Sequence, residues 1–421
     1  MIRSVSILAT GSELLDGRVV DTNSNFVAKE LSERGLALKR ILVVDDDLHE
    51  LVGGLGELSK VSDFIITSGG LGPTSDDLTR DAVSKFFGVG LSEHPDGRKH
   101  LEQFFAKRGR PLDPTNLKQA LLPVGARMVP NENGTAPGFL CSKEGLATVV
   151  SLSGVPREFK AMFLGTVLPI IEREAAGVQK IERRAFKTFG FPESLIGRLV
   201  EGLKLPQEVV VSYRAAFPEV HVVLKAPQGF DLNTSAGQVR EAIGPECVYT
   251  EVADETFVAM IHRHLLERGA TVATAESCTG GMVSEMLTRT PGSSASFVGG
   301  IVAYSDSVKA NVVGVADKTL KANGAVSAET VRELAAEARE RLQATIGVSI
   351  SGIAGPDGGS AEKPVGTFFV GISSPFLTRE LRCLYMSERH NIRTYASYVA
   401  LDLIRRALTG LPAPATYPIA K

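Results

Sequence analysis

The sequence predicts an α/β protein with more than one domain. A chain of 421 residues is long enough for two to four domains. In its first 177 residues, apolar runs alternate with amphipathic stretches, which is typical of a parallel sheet with helices on both faces. Glycine-rich loops follow several apolar runs, and ligands bind at such strand ends. These loops are where we expect functional residues.

The composition excludes several classes of protein. The formal net charge of −2 argues against a general binder of nucleic acid or of membrane surfaces. The four cysteines form no CxxC pair that would suggest a zinc site, and nothing suggests a disulfide framework, so a reducing cytoplasm is the expected location. No apolar run approaches the roughly 18 residues of a membrane span, so no membrane partner is expected.

The first predicted domain spans residues 1–177. Gly35 is expected to end its first helix. The predicted elements are, in order, a strand at 2–9, a helix at 23–34, a strand at 36–44, a helix at 48–60 and a strand at 63–67. This order of strands and helices predicts a doubly wound parallel sheet.

The loop at 67–79 is the strongest candidate site in this domain. Its glycines let the backbone approach a ligand closely, and Asp76 and Asp77 could hold a divalent ion before the next helix. The alternative is a glycine turn with an aspartate that caps the helix. The loop therefore predicts either a ligand site or a structural turn.

The stretch 69–79 (GGLGPTSDDLT) resembles the molybdopterin-binding-like domain at the N-terminus of the competence/damage-inducible CinA family. In related nucleotide-transfer enzymes, aspartates in this loop and after the second strand support a metal ion and phosphate. The resemblance implies that Asp77 and Asp46 hold a divalent metal, Mg or Co, with Asp45 and Asp47 as rivals of Asp46. It also implies ADP-ribose pyrophosphatase activity, with nucleotide-binding residues at Ser68, Gly69, Gly70, Gly72, Asn133, Thr135 and Gly154.

Residues 178–252 predict a small α/β connector domain, with the order strand, helix, strand, strand, helix, strand. This order resembles a KH-like or ferredoxin-like fold. A KH-type RNA site needs a clamping GxxG loop, but Gly197 and Gly202 have the wrong spacing and lie in a helical pattern. We therefore expect a connector or dimer-forming role, a homodimer, and no nucleic-acid partner.

Residues 253–411 predict a third domain, in which Ser277 lies between a buried strand at 269–275 and a helix at 281–289. The first N–H groups of a helix have no intrahelical partner, so an oxyanion beside Ser277 would find donors there. The backbone of Cys278, Thr279 and Gly280 is expected to provide them. An N-cap serine with glycines for close packing is the alternative.

A serine nucleophile needs a base, and the histidines of this domain have no suggestive setting. Tyr304 and Lys309 follow a predicted strand, and a buried lysine can serve, because burial disfavours its charged form. Asp306 is expected to cap the next helix and to point away. A third loop, at 351–359, exposes N–H groups that can surround an anion.

The segments 275–281 (AESCTGG) and 299–309 (GGIVAYSDSVK) resemble the C-terminal domain of the CinA family, the bacterial nicotinamide mononucleotide (NMN) amidohydrolase. The resemblance implies Ser277 as nucleophile, Lys309 as its activator and Tyr304 as an assisting group, without a cofactor. Ser387 and Glu388 stand where the family usually has Gly and Asp. Residues expected to bind substrate are Gly352, Ala354, Gly355, Gly358, Arg389 and Arg393.

Together, the two resemblances imply a bifunctional enzyme of pyridine-nucleotide recycling whose partners are NMN and ADP-ribose. The alternatives are a molybdopterin-handling nucleotide transferase and a non-enzymatic partner protein in DNA uptake. Cys278 is a rival nucleophile, since it is adjacent to Ser277. The proline-containing segment 412–421 is expected to be a flexible tail.

Overall fold

The computed structural model describes residues 2–36, 38–175 and 181–417. The chain divides into two compact units, Met1–Ile181 and Glu182–Lys421. The predicted boundary between residues 177 and 178 lies outside the described residues, as do residues 418–421 of the predicted tail.

The first unit contains a six-stranded sheet in the order β2-β1-β3-β8-β7-β6, and β4 pairs with β5 separately. A 3-10 helix at Pro114–Ala120 and a π-helical turn at Phe163–Val167 complete the unit. Its strands and helices are β1 Val5–Thr10, α1 Ser12–Leu15, α2 Thr22–Glu33, β2 Leu38–Val44, α3 Leu48–Ser59, β3 Phe64–Ser68, α4 Thr79–Phe87, β4 Leu91–Glu93, α5 Pro95–Ala106, β5 Leu121–Pro123, β6 Arg127–Val129, β7 Gly138–Cys141, β8 Thr148–Leu152, α6 Pro156–Met162 and α7 Leu168–Glu174.

The predicted α/β fold with a parallel sheet is confirmed for β2, β1, β3 and β8. Strands β7 and β6 are antiparallel additions at one edge. Neighbouring residues of a strand face opposite sides: Ile7 belongs to one apolar core and Leu8 to the other. Because both faces of the sheet are covered, the central strands β1 and β3 are buried along their whole length. The carboxyl ends of the parallel strands lie at one edge of the sheet.

The second unit begins with a four-stranded sheet in the order β10-β11-β9-β12. Its elements are β9 Ile181–Phe189, α8 Glu193–Glu201, β10 Val210–Ala216, β11 Glu219–Pro227, α9 Asn233–Ile243 and β12 Val248–Thr250. The predicted order of elements is confirmed, and β10 pairs with β11 as an antiparallel hairpin.

A five-stranded sheet in the order β14-β13-β15-β16-β17 forms the rest of this unit. A 3-10 turn at Ser293–Ala295 precedes β14, and a π-helical turn at Lys309–Val313 follows α12. The elements are α10 Phe257–Glu267, β13 Val272–Glu276, α11 Met282–Thr288, β14 Phe297–Val302, α12 Asp306–Val308, α13 Asp317–Asn323, α14 Ala328–Arg341, β15 Ile346–Gly352, β16 Thr367–Ser373, β17 Thr378–Leu384 and α15 Arg389–Thr409.

The prediction of a flexible tail is wrong for the part of it that the structure describes. Tyr417 is 2% exposed and packs on Phe189, with ring centroids 5.5 Å apart. Its hydroxyl donates to Asp402 Oδ2 at 2.6 Å, and Arg406 Nη1 donates to Pro412 O. Burial raises the pKa of Tyr417 well above its ordinary value, so the phenol keeps its proton. The composition of the tail could not predict that Tyr417 docks, because docking depends on Asp402, a buried acceptor in α15.

Tyr417→Phe is expected to destabilise the second unit by about 1.5–3 kcal/mol, because the variant loses a hydrogen bond to a charged group. Thermal unfolding followed by circular dichroism would measure the shift in the midpoint. Tyr213→Phe is a suitable control, since no side-chain hydrogen bond is seen for this partly buried tyrosine among the described residues. An unchanged midpoint for Tyr417→Phe would contradict the stabilising role of the docked tail.

Candidate active sites

The carboxyl edge of the first sheet carries a cleft of about 600 Å³. Most of the residues predicted to bind nucleotide line it, and so do both predicted metal ligands. These residues are Ser68, Gly69, Gly70, Gly72, Thr135, Gly154, Asp46 and Asp77. Asn133 is not among the lining residues; it is exposed, and its N–H donates to Asn131 Oδ1 within its own loop.

The glycine loop of this cleft is braced by Asp77 and Arg80. Asp77 Oδ1 accepts from Gly72 N–H at 2.7 Å, and Oδ2 accepts from the N–H and hydroxyl of Thr74. Arg80 is 1% exposed and donates to the carbonyls of Leu71 and Gly72. Arg80 was not among the residues predicted from the sequence, although an arginine among the apolar positions of α4 was a usable signal.

The cleft is acidic. Six carboxylates line it, and none of its lining residues in the described part of the chain is Lys, Arg or His. The carboxylates belong to Glu13, Asp21, Asp46, Asp76, Asp77 and Glu158. A bare polyphosphate would be repelled here, whereas a phosphate that carries a cation would be tolerated.

The two predicted metal ligands differ in how much of their acceptor capacity is free. A carboxylate has about four acceptor positions. Asp46 uses two, for the Thr10 hydroxyl and the Ser12 N–H, whereas Asp77 uses three within its loop. Among the described residues, no three or more His, Cys, Asp or Glu side chains are grouped so that they could hold one metal ion. Because Mg²⁺ often takes only one or two carboxylates plus water and phosphate, Asp46 fits this role better than Asp77.

In the second unit, the three predicted segments meet at one edge of the five-stranded sheet. Strand β13 is parallel to both of its neighbours, with Glu276 opposite Val302 and Ile350. The chain therefore leaves the three strands at the same edge. Ser277 follows β13, Tyr304 and Lys309 follow β14, and the glycine loop follows β15.

Backbone hydrogen bonds fix Ser277 in the turn between β13 and α11. Its N–H donates to Ile350 O at 2.9 Å, and its carbonyl accepts from Gly280 N–H at 3.0 Å. The residue is 8% exposed, so it lies just below the surface. The neighbouring Cys278 is a poor rival as nucleophile, because burial raises the pKa of its thiol to about 12.

The first N–H groups at the start of α11 are not free, and of the three expected donors, Cys278, Thr279 and Gly280, one is already used. Glu276 is 1% exposed, and its carboxylate accepts from the N–H groups of Gly281, Val283 and Ser284. It also accepts from the Ser284 hydroxyl. Gly280 N–H is used as well, since it donates to Ser277 O. Glu276 was not among the residues predicted from the sequence, although a carboxylate at the end of a buried strand was a usable signal.

Lys309 lies at the start of the π-helical turn and is 2% exposed. Its Nζ donates to Tyr304 O at 3.0 Å and lies 3.4 Å from Asp306 Oδ1. The prediction for Asp306 is wrong in both parts. Ser305 caps α12 through its Oγ, and the Asp306 carboxylate lies beside Lys309 Nζ.

Tyr304 and Arg389 form a bridge across the site. The hydroxyl of Tyr304, an exposed residue, accepts from Arg389 Nη2 at 3.2 Å, and Arg389 Nη1 donates to Gly355 O at 2.6 Å. Tyr304 therefore contacts Lys309 through its carbonyl, while its hydroxyl faces Arg389. Arg389 of α15 thus connects Tyr304, which follows β14, with the glycine loop that follows β15.

The other predicted substrate-binding residues have different surroundings. Gly352 ends β15 and pairs with Phe368, and a side chain at this position would collide with Phe368. Ala354 is buried, whereas Gly358 is exposed with φ of +90°. Arg393 contacts the turn that follows Ser277, through the carbonyls of Cys278 and Thr279. Gly355 is buried too, and its carbonyl accepts from Arg389, so Gly358 is the exposed candidate in this loop for backbone contact with an anion.

The structure also bears on membrane association: no helix in residues 2–36, 38–175 or 181–417 is both long and apolar enough to span a bilayer.

Comparison with known proteins identifies two family domains. Residues 254–408 match the CinA C-terminal domain, and residues 6–173 match the model of a probable molybdopterin binding domain. These two ranges correspond to the two candidate sites.

Close relatives match nearly the whole chain. A CinA-like protein of Anaeromyxobacter sp. is 42% identical over 411 residues, which cover 96% of this chain and 99% of the relative. A CinA-like protein of Citrifermentans bemidjiense is 39% identical and covers 96% of this chain and 97% of the relative. A putative competence-damage inducible protein of Moorella thermoacetica is 38% identical, with 95% and 97% covered. The protein therefore belongs to the CinA family.

Proposed function

We propose that the C-terminal domain is an amidase that converts NMN and water to nicotinic acid mononucleotide and ammonia. The observation that carries this proposal is the convergence of Ser277, the buried Lys309 and the Arg389–Tyr304 bridge at one sheet edge. This arrangement supports the proposal, because a serine amidase needs a nucleophile, a basic group and substrate-binding groups close together.

The proposed reaction has two stages. Ser277 Oγ bonds to the amide carbon, its proton passes to Lys309 Nζ, and the carbonyl electron pair moves to oxygen. Collapse of this intermediate expels the amide nitrogen, which takes the proton and leaves as ammonia. Water then attacks the resulting serine ester and releases the carboxylate product, so Ser277 and Lys309 return to their initial states.

One assay tests the amidase. Purified protein should release ammonia from NMN at the same rate with and without EDTA, because the proposed mechanism uses only side chains and backbone. Absence of ammonia release under conditions in which the protein is folded would reject the proposal. Loss of the activity with EDTA would reject the metal-free mechanism alone.

For the N-terminal domain, we propose a metal-dependent ADP-ribose pyrophosphatase. The acidic cleft with its glycine loop supports this proposal, since a diphosphate would enter it together with a divalent cation. Asp46, with Asp77 at the edge of the loop, would hold the ion. Bound there, a divalent metal would neutralise phosphate charge in the transition state. The glycine loop would position the substrate, and Asp77 would keep that loop closed around it.

Asp46→Asn is expected to raise the Mg²⁺ concentration needed for half-maximal ADP-ribose hydrolysis by about tenfold or more, because a neutral ligand binds Mg²⁺ more weakly. The rate of AMP formation from ADP-ribose, measured across a magnesium titration, would give this concentration. Asp77→Ala should instead abolish the activity at every magnesium concentration, since the glycine loop loses its brace. NMN deamidation should be unaffected in both variants. An unchanged magnesium requirement in Asp46→Asn would contradict the proposed metal ligand.

A further inference from the structure

The turn after Ser277 has two backbone N–H groups with no oxygen acceptor among the described residues, those of Cys278 and Thr279. Its other donors are committed: Gly280 N–H bonds to Ser277 O, and Gly281 N–H bonds to Glu276. An oxyanion that forms beside Ser277 therefore has two candidate backbone donors, both on this turn.

The direction of each free N–H is set by the carbonyl of the same peptide unit, because the two groups of a planar trans peptide point in opposite directions. Ser277 O, which shares a peptide with Cys278 N, accepts from Gly280 N–H at 3.0 Å. Cys278 O, which shares a peptide with Thr279 N, accepts from Arg393 Nε at 3.1 Å. Both peptide planes are thus fixed from the carbonyl side.

Arg393 holds the turn at a second point. Its Nη2 donates to Thr279 O at 2.7 Å, so one guanidinium binds two successive carbonyls. Gly280 has φ of +61°, and a Cβ there would lie 3.5 Å from Arg393 Nη2. Glycine is favoured at this φ because it has no Cβ to strain the backbone. The planar fork of an arginine suits two acceptors in fixed positions, which the single ammonium of a lysine cannot match.

We propose that Arg393 is a positioning residue that orients the backbone N–H groups of Cys278 and Thr279 as the oxyanion hole. This assignment rests on the proposed amidase function, and it replaces the expectation that Arg393 binds substrate. Arg389 differs from Arg393 in this respect, since it is exposed and contacts the Tyr304 hydroxyl and Gly355 O. Arg389 is therefore the substrate-facing arginine of α15, and Arg393 acts through the turn.

The test compares Arg393→Gln, Arg393→Lys and a surface control, Arg289→Gln. Arg289 forms an exposed ion pair with Glu285 on α11 and lies outside the site. Arg393→Gln should lower kcat for NMN by about 10- to 100-fold while KM changes little, because misplaced donors weaken transition-state binding. Arg393→Lys should be nearly as impaired, and Arg289→Gln should match the wild-type protein.

A second measurement does not depend on activity. Backbone hydrogen exchange of the peptide that covers residues 277–284 should be faster in Arg393→Gln than in wild type, since the turn loses two of its hydrogen bonds. Exchange elsewhere in α11 and in β13 should be unchanged. Circular dichroism would verify that each variant is folded.

The outcomes separate this inference from the proposed function. Unchanged exchange in Arg393→Gln would overturn the positioning role, whether or not the protein hydrolyses NMN. A raised KM with unchanged kcat in Arg393→Gln would show that Arg393 binds substrate instead. A near-normal kcat in Arg393→Lys would show that only a positive charge is needed at this position, which also contradicts the positioning role. Faster exchange in a protein that shows no deamidation would support the positioning of the turn and reject the amidase proposal alone.

Discussion

Ser277→Ala is expected to lower the rate of NMN deamidation by about 10⁴-fold or more, because removal of a catalytic nucleophile leaves only binding and oxyanion stabilisation. The fold should persist. The backbone of Ser277 is held by Ile350 O and Gly280 N–H, and neither bond involves the deleted oxygen. Ammonia release from NMN, measured at saturating substrate, would give the ratio of kcat values.

Cys278→Ala is the matched control for this prediction. The thiol is buried and its pKa is raised to about 12, so little thiolate exists near neutral pH. The variant keeps its backbone N–H and should retain most of the activity. If Cys278→Ala were inactive and Ser277→Ala active, the nucleophile would be the cysteine, and the two residues would exchange roles.

Lys309→Ala is expected to lower kcat by about 10²–10⁴-fold, the usual contribution of a positioned general base. Lys309→Arg should be nearly as inactive, because a guanidinium stays protonated and cannot accept the Ser277 proton. Rates of ammonia release from NMN across the pH range would measure both effects. Substantial activity in Lys309→Arg would mean that only a positive charge is needed at this position.

Asp306→Asn gives an independent check on the same base. The Asp306 carboxylate lies 3.4 Å from Lys309 Nζ. Asp306→Asn keeps an acceptor at this position and removes its charge, so it should change the rate of ammonia release from NMN if Lys309 takes the Ser277 proton. An unchanged rate at every pH would count against Lys309 as the base.

The sequence alone predicted the α/β class, the order of elements in the small sheet and the positions of the glycine loops. These features depend on local patterns: apolar runs, helical periodicity and glycines after strands. The same patterns placed Ser277 at a strand-to-helix junction and Asp77 in a glycine loop. They also indicated that Tyr304 and Lys309 follow a neighbouring strand, but not how the side chains would be oriented.

Only the tertiary structure decided which groups these side chains contact. Arg393 reaches Cys278 O across 115 positions of the chain, and Tyr417 reaches Asp402 within a buried cluster. The helix donors next to Ser277 are taken by Glu276, a competition that no propensity describes. Hydrogen-bond partners are chosen by three-dimensional proximity and by the need to satisfy buried polar groups. A local pattern therefore locates the nucleophile, whereas packing determines which donors and charges surround it.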